Sequence, residues 1–266
     1  MFVDAHAHLD LYGESLDQES LDSALGEIAE HGILTLANSL DLPSYERNIE
    51  IARMSEFVIP LFGVHPWSAP DYVNRLGELA DASDRTPMLG EIGLDHRFVT
   101  DESLYPAQRE VFEFLLSAAR ELSKSVNLHT AGAESEVLTL LDEYSIDRVI
   151  VHWYSGPRDV FDALVERGAL FSMGIDVVYT EHVRELAAAV PAELLLTETD
   201  NPGGPKSLLG RPGTPSLLLD VVDALAEIRG TTSEDIVATV ERNFTSFVNA
   251  DTHLSAACGR FFDWSR

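Results

Sequence analysis

The stretch Phe2-Val3-Asp4-Ala5-His6-Ala7-His8 decides how the rest of the chain is read. Its apolar start reads as a short strand, and side chains two apart on a strand point to the same side. His6 and His8 are therefore delivered together to one place. Taken alone, the pair fits either metal ligation or a solvated turn after an edge strand, because a short motif needs its structural context.

That context is a rhythm that recurs along the chain. Strand-like apolar runs fall at 2–4, 33–37, 58–63, 88–92, 126–129, 148–152, 170–174 and 194–197. Between them lie helical stretches at 20–30, 44–54, 72–82, 107–122, 134–144, 158–167 and 181–190, followed by 216–229 and a further helix at 233–247. Val111, Leu115, Ala118, Ala119 and Leu122 show the three- and four-residue spacing of a buried helical face. His31-Gly32 and Arg167-Gly168 read as helix ends, a basic side chain with glycine beyond it. Eight strand–helix units are what a closed TIM-like (β/α)8 barrel requires. The alternative, an open doubly wound sheet, lacks its Gly-x-Gly-x-x-Gly after the first strand. The expected architecture is one α/β barrel domain over 1–266 with an extra C-terminal helix, and 201–215 as a long Gly/Pro-rich loop.

Composition narrows the setting. The 266 residues are 45% hydrophobic, enough for one large core. Neither a signal peptide nor a membrane-spanning run is evident. Cys258 is the lone cysteine, which points to a reducing cytoplasm. The chain carries 18 basic and 45 acidic residues, a net charge of −27, and its only lysines are Lys124 and Lys206. Such a surface repels itself at low salt, whereas at molar salt the screening length falls to about 3 Å. A halophile-like adaptation to a salt-rich cytoplasm is the expectation. Nonspecific binding to nucleic acid rests on phosphate neutralisation, so this protein gains little from it.

The residues able to bind metal fall at the carboxyl ends of different strands. His6 and His8 follow the first, His65 the third, and Glu91 lies in the fourth. His129 ends the fifth, His152 the sixth, and Asp200 follows the eighth. In a barrel these ends share one face, where barrel enzymes place their active sites. Imidazole suits zinc, and carboxylate suits magnesium or manganese. We assign His6, His8 and Asp200 to one divalent ion, His129 and His152 to a second, and Glu91 as the bridge. Two such ions lower the pKa of a shared water, and Asp200 is the candidate general base. His65, Arg97, Trp153 and Arg211 are candidate substrate contacts, with Tyr154 and Lys206 beside them. Asp95 is a candidate hydrogen-bond partner for a ligand histidine. His31, His96, His182 and His253 read as surface, packing or helix-end residues, and Asn243 as a fixture of a late helix.

In order and spacing, these motifs resemble the TatD-type metal-dependent hydrolases of the amidohydrolase superfamily. The likeness rests on His6-x-His8, Gly63-Val64-His65-Pro66, Gly90-Glu91-Ile92-Gly93-Leu94-Asp95, His152 with Ser155-Gly156, and Glu198-Thr199-Asp200-x-Pro202. It extends to Gln108, Phe112 and Asn243. It implies a TIM-like barrel with one or two metal ions and deoxyribonuclease activity, often 3′-to-5′ exonucleolytic. Three positions depart from the pattern. Ala131 stands where an arginine is usual, Trp153-Tyr154 where Cys-Phe is common, and Arg211-Pro212-Gly213-Thr214-Pro215 where an Arg-Asn-x-Pro loop is usual. The ligands are thus complete while the groups facing substrate differ. The leading expectation is a phosphodiesterase acting on a DNA end or a small phosphodiester. The alternatives are an amidohydrolase or lactonase using the same centre, and a non-catalytic metal-binding barrel.

Overall fold

A computed structural model describes residues 1–262, the side chains of residues 14 and 15 excepted. Residues 263–266 of the unit expected from sequence lie outside the described residues. The strands are β1 (Phe2–Ala7), β2 (Ile33–Ala37), β3 (Val58–Pro60), β4 (Leu89–Gly93), β5 (Val126–His129), β6 (Val149–His152), β7 (Leu170–Met173) and β8 (Leu195–Thr197). All are paired in parallel, as one arc β1-β2-β3 and another β4-β5-β6-β7-β8. Buried on both faces, parallel strands read as continuous apolar runs; every residue of β2 is buried.

Two seams join the arcs. At the first, Phe62 bridges Leu89 and the Gly90 N–H donates to the Phe62 carbonyl at 2.8 Å. At the second, the Thr197 hydroxyl donates to the Val3 carbonyl at 2.7 Å. Just beyond β8, the Asp200 N–H donates to the His6 carbonyl and the His8 N–H to the Asn201 carbonyl, each at 2.8 Å. The architecture is an α/β TIM-like barrel, and the second seam joins the first-strand histidines to the loop that carries Asp200.

The helices form the outer layer. Tyr105–Leu122 buries Val111, Leu115 and Ala119 of the expected stripe together with Phe112 and Leu116, while Ala118 and Leu122 are only half-buried. Asp17 and Asp41 cap their helices by accepting from the N–H groups of Ser20 and Ser44, each worth about 1 kcal/mol. The expected helix at 72–82 is instead three short pieces, Ala69–Tyr72, Leu76–Leu79 and Ala80–Arg85. Arg75, with φ −137° and ψ 27°, breaks the run. The stretch 201–215 contains a helical turn, Lys206–Leu209, ended by Gly210 at φ 69°. Asp10–Ser15 is a helix that the sequence reading did not foresee.

The C-terminal addition is larger than the single helix expected. Leu217–Arg229 completes the eighth unit, Ser233–Asn249 packs on β1 and β8, and Thr252–Cys258 follows. Asn243 donates to the carbonyls of Ala192 (2.7 Å) and Leu195 (2.8 Å), fixing the late helix to the start of β8 as expected. The short last helix is set by Asp251. One of its oxygens accepts from the N–H groups of His253 and Leu254, and the other accepts from the N–H and hydroxyl of Ser125. Among the described residues no helix is long and apolar enough to cross a membrane.

Candidate metal centre and active site

Strand ends bring His6, His8, His65, Glu91, His129, His152 and Asp200 to one place. His6 is fully buried, and the other six line a cavity of about 410 Å3. Glu91 lies at the middle. Its Oε1 is 2.7 Å from His129 Nδ1 and 2.9 Å from His152 Nε2, whereas its Oε2 is 3.2 Å from His8 Nε2 and 3.4 Å from His6 Nε2. Asp200 Oδ1 stands 3.3 Å from His8 Nε2 and 3.9 Å from His6 Nε2. Glu91 Oε1 thus faces His129 and His152, and Oε2 faces His8 and His6.

Hydrogen bonds at the far side of each ring decide what the near side can do. Asn127 donates its amide to the Ala5 carbonyl, which turns its oxygen toward His6 Nδ1 at 3.1 Å. His8 Nδ1 faces the Asn38 carbonyl at 3.2 Å. Both Nδ1 atoms must donate, so in the neutral rings both Nε2 atoms carry lone pairs, and these lie 3.2 Å apart. Two lone pairs that close are relieved by a proton on one ring or by a metal ion held between them. Ligand histidines commonly have this arrangement, the outer N–H held by an oxygen. The donors fit a divalent ion, and three overlapping sets could hold one: His6, Glu91 and His152; His6, His8 and Asp200; His65, Glu91 and His129. His65 differs chemically. Its Nδ1 accepts from the Trp67 N–H at 3.2 Å, leaving the proton on Nε2, 3.5 Å from Glu91 Oε1. In this tautomer it donates, and it could join the third set only by giving up that proton.

The charges follow from this packing. Burial alone would raise the Glu91 carboxyl, but the imidazoles of His65, His152 and His6 and the His129 hydrogen bond hold it well below the usual range. Burial would lower His8, yet Asp200 and Glu91 push it well above its ordinary value. For His152, burial is likewise overcome by Glu91 and Glu198. His129 is raised because Asp95 and Glu91 outweigh its burial. Asp200, despite burial, is lowered by His8. His65 is pushed down to about 4, chiefly by burial. The lone pairs that protons seek here are those a metal ion would take, so ligation competes with protonation.

Supporting residues that the sequence reading did not assign hold this cluster. Asp4, two residues before His6, accepts from the Thr199 N–H and hydroxyl and from the His6 N–H. Glu198 Oε1 lies 3.5 Å from His152 Nδ1 and accepts the Trp153 N–H at 2.9 Å, while Oε2 accepts the Ser172 hydroxyl. Trp153 (φ 43°) and Asp200 (φ 50°) have left-handed backbones, unusual without glycine. Gly204 closes over Asp200, and a Cβ there would lie 1.9 Å from Asp200 Oδ2. A carboxylate in an apolar strand, two residues from a histidine, is the signal that could have revealed Asp4.

The remaining expectations divide. Asp95 Oδ2 lies 3.3 Å from His129 Nε2, close enough to pair though poorly aligned for a hydrogen bond. It also accepts the Trp67 indole N–H at 2.6 Å. Arg97 and Trp153 line the cavity. Arg97 donates to Ser155 Oγ at 2.8 Å, and its backbone sits beside Gly132. Arg211 is a correction. It is exposed, lies outside the cavity lining, and among the described residues reaches only the Pro212 carbonyl at 3.5 Å. Lys206 also stays outside the lining. Tyr154 is buried in the core with its hydroxyl on the Pro157 carbonyl, so it offers no stacking face. His96 packs on Tyr105, His182 reaches the Gly156 carbonyl, and His253 reaches the Leu122 carbonyl.

Behind Glu198 lies Asp176, buried, with one carboxylate oxygen lacking a partner among the described residues. Burial, aided by the Glu198 charge, pushes it from 3.8 up to about 7. The folded protein keeps this proton in a range where the unfolded chain releases it, so stability falls as pH rises from about 4 to about 7. Asp176→Asn removes that loss. Its stability advantage over the parent should be near zero at about pH 4 and grow to a few kcal/mol, on the order of 1.4 per pKa unit, by about pH 7. Thermal unfolding across this range checks it, and an advantage independent of pH would refute the account.

A TIM-like barrel with five imidazoles and two carboxylates converging at one face defines a metal-dependent hydrolase. The family model of TatD-related DNases matches residues 3–249. The metal-dependent hydrolase YcfH of Escherichia coli K12 is 30% identical over 261 residues, covering 94% of this chain and 96% of its own. The 3′-5′ ssDNA/RNA exonuclease TatD of Pantoea ananatis is 29% identical over 245 residues, covering 85% and 91%. The crystal structure of the TatD homologue YjjV from Escherichia coli K12 superposes with a TM-score of 0.84 at 23% identity, covering 93% of this chain and 98% of that one. The chain belongs to the TatD-related DNase family.

Proposed function

We propose that the protein, as one hydrolase unit over 1–266, is a phosphodiesterase that uses two divalent ions and acts on a DNA end or a small phosphodiester. His6, His8 and Asp200 would hold one ion, His129 and His152 the other, with Glu91 shared; magnesium, manganese and zinc all suit these donors. The observation that carries this reading is the division of the imaidazoles between the two Glu91 oxygens. Bound ions would supply an acidified water and positive charge for the phosphate oxygens. Asp200, partly open to the cavity with 14% of its side chain exposed, takes the proton from the attacking water. His65 offers its Nε2 proton, and Arg97 its guanidinium, to phosphate oxygens, while Trp153 walls the pocket.

Phosphorus is favoured over carbonyl carbon because Glu91 occupies the bridging place that a carbamylated lysine often takes in the wider superfamily. Neither lysine can take that role. Lys124 is buried with its ammonium on the Ser83 and Asp84 carbonyls, and Lys206 is exposed outside the cavity. The name of the Pantoea relative supports a single-stranded substrate. A lone buried cysteine suits a cytoplasmic setting, and the −27 charge a salt-rich one.

The test is to strip the protein with chelator and reload it with magnesium, manganese or zinc, at low and at molar potassium chloride. Single-stranded DNA, RNA, nucleotides and model lactones are the substrates. We expect chelation to abolish strand-end hydrolysis, a divalent ion to restore it, and molar salt to sustain it. Hydrolysis of lactones alone would refute the phosphodiesterase reading.

A further inference from the structure

Two aromatic rings at the cavity mouth have no part in the chemistry above. Trp67 is 58% exposed and Phe98 is 64% exposed, yet both line the cavity. Neither is loosely held. Asp95 accepts the Trp67 indole N–H on Oδ2 at 2.6 Å and the Phe98 and Arg97 backbone N–H groups on Oδ1 at 2.7 and 2.9 Å. His65 butts edge-on against Trp67, its ring centroid 4.6 Å away. The two rings stand nearly perpendicular, 80° apart, with centroids separated by 6.4 Å. A planar group lying on one ring would meet the other edge-to-face, an arrangement aromatic pairs favour.

We infer that Trp67 and Phe98 form the seat for the unpaired terminal base of a nucleic-acid strand, placed so that its phosphodiester falls on the metal centre. This rests on the phosphodiesterase reading and names how the substrate is gripped. Position is the first argument. The Asp95 carboxylate touches Trp67 on one side and stands 3.3 Å from His129 on the other. The seat is therefore one side chain away from the ligand cluster, and His65 lies between Trp67 and Glu91. Charge is the second argument. Arg97 is the one lysine or arginine lining the cavity among the described residues. On a chain of net charge −27, affinity from phosphate neutralisation is poor and fails in salt. Stacking accepts any base and does not depend on counterion release. Size is the third argument. A cavity of about 410 Å3 falls at the small-ligand end of the usual pocket range and has room for a single nucleotide. A base within a duplex is stacked on both faces and has none to offer.

The test uses the full chain loaded with magnesium or manganese, and single-stranded oligonucleotides ending in a normal or an abasic nucleotide. Trp67→Leu and Phe98→Leu should each raise KM on the normal end by about tenfold, with kcat nearly unchanged. They should leave KM on the abasic end where it was, and Trp67→Phe should restore most of the loss. A second readout needs no turnover: a deoxynucleoside monophosphate should quench parent tryptophan fluorescence, and Trp67→Leu should lose most of that quenching. Equal KM for normal and abasic ends in the parent, or normal KM in the double leucine variant, would overturn the seat while leaving the nuclease reading intact. A parent that cuts no nucleic acid would defeat the nuclease reading instead. Quenching then decides the seat on its own: abolished by Trp67→Leu it stands, and unchanged it falls.

Discussion

Asp200→Asn should fold like the parent and turn over about 10²–10⁴-fold more slowly, the range set by losing a positioned proton acceptor. The fold should survive because the Asp200 backbone does the structural work. Its N–H bonds the His6 carbonyl at 2.8 Å and its carbonyl accepts the Gly204 N–H at 2.9 Å, and asparagine leaves both in place. The side chain lies on the open side of the cluster, and His8 keeps its carboxyl below the ordinary 3.8, so it is an anion at neutral pH. An amide of the same shape cannot accept the proton. Turnover on a single-stranded oligonucleotide, read beside the melting temperature, checks this, and near-normal kcat in a folded variant would remove Asp200 as the base. Gly204→Ala should reach a similar loss by geometry, because the added methyl would lie 1.9 Å from Asp200 Oδ2.

Much of this site was legible because strand periodicity and barrel topology are strong constraints. His6 and His8 had to share a face, and the strand ends had to meet, so the six proposed ligands could be named without coordinates. What escaped depends on contacts across the chain. The tautomers that separate His6 and His8 from His65 are set by Asn127, Asn38 and the Trp67 N–H. Only the last of these lies near its histidine in sequence. Trp67 and Phe98 were not singled out from sequence, because Asp95 joins them through an indole and a backbone N–H. Arg211 was drawn toward the site by its place after the last strand, but it follows the turn Lys206–Leu209 and Gly210 and does not line the cavity. The helix expected at 72–82 had the right polarity pattern and lost to local backbone at Arg75.

Glu91→Ala should cost both metal ions at once, and this separates a shared carboxylate from two independent sites. Each Glu91 oxygen faces its own pair of imidazoles, Oε1 toward His129 and His152, Oε2 toward His8 and His6. Without the carboxylate, one set retains His6, His8 and Asp200, while the other is left with His129 and His152. Independent sites would give up only the second ion. A bridge also supplies the negative charge that lets two cations sit together, so its loss should weaken the first ion too. The ion-free variant should in addition be less stable than the ion-free parent by about 3–5 kcal/mol, the usual cost of leaving buried charged partners unpaired. Glu91→Gln guards against a folding defect, since it keeps the shape and one carbonyl oxygen and should retain partial occupancy. Metal content measured after dialysis against a fixed low concentration of the ion decides the matter. Two ions retained by Glu91→Ala would exclude the bridge, and one ion retained, on His6, His8 and Asp200, would reduce Glu91 to a ligand of the other site alone.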